Sequence, residues 1–281
     1  MKVTQVEVSS ILTRSSGYLS QVCSHSLQPY RGCSLGNSLC GQYCYVRHNP
    51  WVTEGRAWGS FLEVRTNASS AYLSQYQRER NWARRHRGAF EIFMASATEP
   101  FLPQETQFGI TRSLLEAMTT APPDLLILQT RSPQVVDHLS LLKKLPGLRV
   151  HLTIESDCLR LNDLPSPASQ PATRFEAARK LRAAGIHVVI TVSPLLPLRD
   201  PESFFAEVAA SADAVVLDHF IGGDGSPRGS RTLRTPVPVA MAKVQPTSVL
   251  LSYRDEMVDV AQRHLPGRVG VHIDGFAGRY L

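Results

Sequence analysis

From about residue 90 onward, short β-branched runs alternate with segments that carry helix start and stop signals. This alternation restricts the possible folds more than any other feature of the chain. The runs are Phe90–Ser96, Leu125–Thr130, Arg149–Ser156, His187–Pro194 and Ala214–Phe220. They are nearly continuous in apolar residues, as strands covered on both faces of a parallel sheet must be. Between them, Ser132-Pro133 and Asp200-Pro201 each set a capping side chain before a proline at the first helical position. Thr173-x-x-Glu176 reads as a capping box for a helix that Gly185 closes. Phe175, Ala178 and Leu181 give that helix one apolar stripe. Repeated βα units of this kind predict an α/β fold, a complete or partial (βα) barrel.

Barrels of this type carry their chemistry at the carboxyl ends of the strands. Here those ends are polar: Ser96-Ala-Thr-Glu99, Gln129-Thr-Arg131, Glu155-Ser-Asp-Cys158, Ser193 and Asp218-His219. Five successive polar strand ends predict one shared pocket. A length of 281 residues with 43% apolar content suits one such barrel and excludes general disorder. The net charge of +6 is compatible with an anionic partner, nucleic acid included, without requiring one. Met1 to Ser20 lacks the apolar core of a signal peptide, and no apolar run approaches the length of a membrane span. The expectation is a cytoplasmic protein with no membrane partner.

The five cysteines are unevenly spread. Cys33, Cys40 and Cys44 crowd into Arg31-Gly-Cys-Ser-Leu-Gly-Asn-Ser-Leu-Cys-Gly-Gln-Tyr-Cys-Tyr45, while Cys23 and Cys158 stand apart. An odd count without an export signal does not describe a disulfide framework. Three close thiols in a Gly-rich loop suit a soft metal centre, and Gly32 and Gly36 allow the backbone to curl through positive φ. Two centres fit these residues. Zinc would recruit His48 as a fourth ligand, in a non-catalytic protein that grips nucleic acid. A [4Fe–4S] cluster on three cysteines would leave one iron open for chemistry. A third reading, a Cys158 nucleophile with His219 or His187, lacks any supporting local motif.

Two segments fall outside the βα pattern. Ala68–Arg87 reads as a long helix ending in Arg78, Arg80, Arg84, Arg85 and Arg87, a solvated face or a phosphate-contacting one. Residues 221–247 are rich in Gly, Pro, Ser and Arg and read as a mobile loop or lid.

The chain resembles radical S-adenosylmethionine (radical SAM) enzymes, and among them the spore photoproduct lyase family. The resemblance runs through Ser26-Leu-Gln-Pro-Tyr-Arg-Gly-Cys33, Gln42-Tyr-Cys-Tyr45, Glu63-Val-Arg-Thr-Asn67, the Thr98–Glu105 segment and Thr111-Arg112. It continues through Gln129-Thr-Arg-Ser132, Leu152-Thr-Ile-Glu155, Arg174 with Leu181 and Gly185, and Val192-Ser-Pro194. It implies a partial (βα)6-type TIM barrel of the radical SAM kind over residues 26–220, with a cluster loop at 33–44. Residues 1–25 would be an N-terminal extension, and 221–281 a C-terminal loop and extension completing or covering the barrel.

The same resemblance implies a [4Fe–4S] cluster on Cys33, Cys40 and Cys44, with Cys23 as the reserve ligand. It implies S-adenosylmethionine (SAM) on the open iron, cleaved to a 5′-deoxyadenosyl radical with an electron from a flavodoxin- or ferredoxin-type donor. A variant cleavage would give an aminocarboxypropyl radical. By the same correspondence Tyr43 lies beside the adenine, Thr98 and Glu99 near the methionyl group, Arg131 on the carboxylate, and Thr153 supplies another hydroxyl contact. Two departures stand out. The cysteines are spaced C-x₆-C-x₃-C instead of C-x₃-C-x₂-C. Ala97 occupies the position of the family's hydrogen-donating cysteine, so the namesake reaction is not expected. Cys158 is the speculative substitute.

Overall fold

The apolar runs assemble side by side. The computed structural model describes residues 1–281 and contains eleven strands in two sheets. They are β1 (Lys2–Val6), β2 (Leu12–Arg14), β3 (His25–Leu27), β4 (Tyr30–Gly32), β5 (Phe61–Arg65), β6 (Glu91–Met94), β7 (Leu125–Thr130), β8 (Leu148–Thr153), β9 (His187–Val192), β10 (Ala214–Leu217) and β11 (Val269–Val271). The large sheet has the order β11-β10-β9-β8-β7-β6-β3-β2. Every neighbouring pair in it is parallel except β2 with β3. Parallel neighbours require crossovers, and helices Ile110–Thr120, Pro171–Ala183, Pro201–Ser211 and Leu251–His264 supply them. The fold is thus mixed α/β with a partial barrel.

Local signals place most of these elements. β7 has the predicted bounds, whereas β6, β8, β9 and β10 stop two to three residues short of them. Their polar ends turn away from the ladder, and Phe220 starts a short helix instead of ending a strand. Ser132 and Asp200 cap as expected, accepting from the backbone N–H of Gln134 and Ser203. The capping box does not form. Pro171 opens that helix, so Thr173 falls inside the first turn and donates to the Gln170 carbonyl. The helix Ala68–Arg87 has the predicted bounds, and its charged face is partly paired, as in Arg84 with Asp124. No helix is long and apolar enough to cross a membrane.

The N-terminal residues are woven into the structure. β1 pairs with β5 in a smaller sheet, β1-β5-β4, while β2 pairs with β3. Residues 221–247 differ from the loop expected of their composition. They form short helices, Phe220–Gly223 and Val237–Val244, with 3-10 turns between them. Asp224 ties this segment together by accepting from the N–H groups of Ser226 and Thr232. Phe220, Val237, Ala240 and Met241 then join Leu39, Tyr43 and Cys158 in an apolar cluster of their own.

The large sheet does not close, because β2 and β11 are not paired. The gap is filled by side chains from the 3-10 turn Gly17–Gln21 and the short helix His272–Phe276. Tyr18 sits edge-on to both His272 and Phe276, with ring centroids 5.2 and 6.2 Å away. Phe276 reaches inward to Phe93 and His151 and forms the barrel floor with Ile127, Val189 and Val216.

Candidate active site

The segment that follows β4 folds tightly because three glycines permit it. Gly32 has φ +83°, and a Cβ there would lie 2.4 Å from the Phe61 carbonyl oxygen. Gly36 was expected to need positive φ. Its actual requirement is clearance, since a Cβ would meet the Gly59 Cα at 2.5 Å. A Cβ on Gly41 would meet the Gly36 carbonyl oxygen at 1.8 Å. This packing presses the 3-10 turn Ser34–Asn37 against the helix Leu39–Tyr43 and sets Cys33 before the turn, Cys40 within the helix and Cys44 just after it.

Cys33, Cys40 and Cys44 are all free and line one cavity of about 460 Å³ at the carboxyl ends of the strands. Burial, reinforced by Cys40 and Cys44, pushes the Cys33 thiol up to about 12. Burial and Cys40 push the Cys44 thiol to about 11. The protein alone therefore keeps these groups protonated, and a bound cation would reverse that preference.

Of the other sulfur and histidine candidates, only His219 lines this cavity. Cys23 lies in the floor layer, with its sulfur 3.3 Å from Ser15 Oγ and 3.2 Å from the His25 carbonyl. Cys158 is packed outside the cavity wall, its sulfur 3.6 Å from both Asp157 Oδ1 and the Pro197 carbonyl. His219 is a structural cap, with Nε2 3.0 Å from the Ser248 carbonyl and Nδ1 accepting from the Ile221 N–H. His187 is the first residue of β9, at the far end of the barrel from Cys158. His48 is exposed and absent from the cavity wall. No three His, Cys, Asp or Glu side chains stand close enough to share a single metal ion. A four-iron cluster differs in that each thiolate meets its own iron, so the sulfurs need not converge on a point.

Behind the cavity wall, Glu155 holds two of the residues that line it, Tyr43 and Arg131. Its Oε1 accepts from the Tyr43 hydroxyl at 2.5 Å and from Arg131 Nη1 at 2.6 Å, and its Oε2 accepts from Arg174 Nη1 at 2.5 Å. Burial opposes the Glu155 charge, but Arg174 and Arg131, with the Tyr43 hydroxyl, outweigh it and hold the carboxyl down to about 2. Burial likewise opposes the Arg131 charge, and Tyr43, Cys40, Glu155 and Glu99 more than restore it. Arg131 Nε and Nη2 make no bond within the chain, and Arg131 lines the cavity. Sequence reasoning gave Arg131 and Tyr43 ligand roles, whereas Glu155 was noted only as a polar strand end and Arg174 only in the resemblance. Their signal was an acid at a strand end and an arginine on the apolar side of the next helix.

Thr98, Glu99 and Thr153 line the same cavity. Glu99 Oε1 accepts from Thr130 Oγ1 and the Phe101 N–H, while Oε2 accepts only from the Arg131 N–H at 2.9 Å. Burial raises its carboxyl above the ordinary range despite those bonds. Thr153 Oγ1 is 2.6 Å from Gln129 Nε2 and 3.0 Å from Thr191 Oγ1. Thr98 Oγ1 and Gln129 Oε1 are buried without any partner in the chain. Buried polar atoms are nearly always bonded, so the cavity wall is shaped for a polar occupant. All eight residues expected at the cluster and SAM therefore meet at one cavity.

No protein-family model matches the chain. An uncharacterized protein of Methanocaldococcus jannaschii, MJ0683, is 24% identical over 234 residues, covering 82% of this chain and 84% of its own. Spore photoproduct lyase complexed with dinucleoside spore photoproduct superposes with a TM-score of 0.65 at 15% identity, over 96% of this chain and 81% of that one. A mutant of that lyase with bound AdoMet and dinucleoside spore photoproduct gives 0.62 at 15% identity, with the same coverage. The polar strand ends, the three-cysteine loop and the open barrel thus belong to a chain with the fold of spore photoproduct lyase.

Proposed function

We propose that this chain is a radical SAM enzyme of the spore photoproduct lyase type, with Cys33, Cys40 and Cys44 holding a [4Fe–4S] cluster and the adjoining cavity taking SAM. The observation that carries this reading is the convergence of three free cysteines, the Arg131 guanidinium and the unpartnered Thr98 hydroxyl on one strand-end cavity. When bound, the cluster supplies the electron that splits a carbon–sulfur bond of SAM, giving methionine and a 5′-deoxyadenosyl radical able to take hydrogen from a substrate. The chain's own residues bind and orient. Arg131 offers Nε and Nη2 to the methionyl carboxylate in a fork suited to it. Glu99 Oε2 has a lone pair left for the amino group, and Thr98 bonds beside it. Glu155 fixes the Tyr43 ring, which would lie beside the adenine, and Thr153 would supply a further hydroxyl contact.

Ala97 lines the cavity where a hydrogen-donating cysteine is implied by the family resemblance. An alanine methyl has no readily donated hydrogen, so we assign a substrate other than spore photoproduct. The electron comes from an external flavodoxin- or ferredoxin-type carrier, and the basic chain is compatible with a nucleic-acid substrate.

Anaerobic reconstitution with iron and sulfide, then SAM and dithionite, tests the reading by chromatography of the nucleoside products. About four irons with acid-labile sulfide, and 5′-deoxyadenosine as product, support it. Methylthioadenosine would indicate the aminocarboxypropyl route, and one tight zinc without sulfide would overturn the enzyme reading. Cys33→Ala, Cys40→Ala and Cys44→Ala should each abolish the cluster absorbance, while Cys23→Ala and Cys158→Ala should retain it.

A further inference from the structure

Three carboxylates line the cavity: Glu99, Asp224 and Asp218. Glu99 belongs to the Arg131 end. Asp224 is consumed by Ser226 and Thr232. Asp218 follows β10 on the opposite side, is only 5% exposed, and keeps an oxygen in reserve. Its Oδ1 is 2.9 Å from His272 Nδ1, whereas its Oδ2 has only Ser193 Oγ at 3.4 Å.

From this geometry we infer that Asp218 is the substrate-recognising carboxylate of the cavity and takes a group that donates N–H hydrogen bonds, such as an amide, imide or amidinium. The inference rests on the proposed seat of SAM at the Arg131 end, which leaves the β10–β11 side to a second ligand. A buried carboxylate oxygen without a full donor is costly, and a planar N–H group supplies what it lacks. Gly223 passes close to this carboxylate without offering it a donor: a Cβ there would lie 2.7 Å from Oδ2, and the Gly223 N–H is spent on the His219 carbonyl.

His272 is a positioning residue that fixes Oδ1 and thereby aims Oδ2. It holds φ +50°, a conformation that non-glycine residues adopt at some expense, and Tyr18 packs edge-on to its ring. The Asp218 hydrogen bond raises the imidazole pKa against the effect of burial.

Benzamidine and benzoate are planar isosteres with opposite hydrogen-bonding character, and they serve as probes on the reconstituted, SAM-loaded protein by calorimetry. Benzamidine should bind at least about tenfold more tightly than benzoate, equivalent to about 1.4 kcal/mol. Asp218→Asn should remove most of that preference while retaining cluster absorbance. His272→Asn, whose amide still donates to Oδ1 and whose backbone tolerates positive φ, should bind benzamidine better than His272→Ala. Equal binding of the two probes by the wild-type protein overturns the inference, whether or not the variants fold. So does an Asp218→Asn protein that keeps both its cluster and its preference. Failure of the underlying enzyme reading is separate, since it registers as a wild-type protein without cluster or nucleoside product.

Discussion

Arg174 reaches from the first turn of its helix back to the end of β8 and places Nη1 2.5 Å from Glu155 Oε2, in a pair with neither side chain more than 5% exposed. Arg174 also donates from Nη1 to the Thr153 carbonyl and from Nη2 to the Ser169 carbonyl. One buried cation thus anchors the residue that orients Arg131 and Tyr43. Arg174→Leu should destabilise the fold by about 3 kcal/mol, because Glu155 keeps only Arg131 as a charged partner and the Thr153 and Ser169 carbonyls lose their donor. Urea titration monitored by circular dichroism measures it. Adding Glu155→Gln to that variant should not recover the loss, because Arg131 then loses its carboxylate partner too.

Thr98→Val separates binding from folding. The Thr98 hydroxyl is buried and unbonded, so an isosteric methyl should leave stability unchanged or slightly raised. Removing a hydrogen bond to SAM should weaken SAM binding about five- to tenfold, near 1–1.4 kcal/mol. Thermal melts of the protein without SAM and calorimetric titration with SAM give the two readouts.

Gly41→Ala and Gly55→Ala should behave differently. The first drives a methyl to 1.8 Å from the Gly36 carbonyl oxygen, within the loop that carries the cysteines. The second has φ +77° but nothing within 4 Å, so it should cost roughly 1–2 kcal/mol of backbone strain and no more. Gly41→Ala should lower the iron bound per chain after reconstitution, and Gly55→Ala should leave it at the wild-type level.

Acid should destabilise the barrel through Glu79. Burial raises this carboxyl, but hydrogen bonds from Arg14, Arg78 and His25 outweigh it and hold the group down from 4.5 to about 2. The unfolded chain therefore binds a proton at a pH where the folded chain does not. The stabilisation is complete above pH 4.5 and is lost as pH falls from there toward 2. Urea midpoints at pH 7, 4 and 3 should fall more steeply for the wild type than for Glu79→Gln.

The central strands and their helices were readable in the sequence because their signals are local. Leu125–Thr130 is a continuous apolar run, and Asp200-Pro201 is a cap with a proline behind it. β1 and β2 were not readable. They are five and three residues long, largely exposed, and exist because distant β5 and β3 pair with them. Residues 221–247 misled by composition, since their order comes from the Asp224 hydrogen bonds and from Val237 and Met241 packing under Phe220. At the cavity, residue types with a known chemistry could be given roles, whereas Glu155 was legible only as a polar strand end. Its role lies in three partners separated from it by 19 to 112 positions.

The gap between β2 and β11 has a consequence for how this protein stays dispersed. An outer strand is where a second molecule's strand could add, and here both edges are partly taken: the Val269 carbonyl of β11 accepts from the Leu281 N–H, and the Leu12 N–H of β2 donates to Gln75. Tyr18, His272 and Phe276 fill the slot with rings that offer such a strand no ladder. The last turn of the chain is therefore a stopper against intermolecular sheet growth as well as a floor for the barrel.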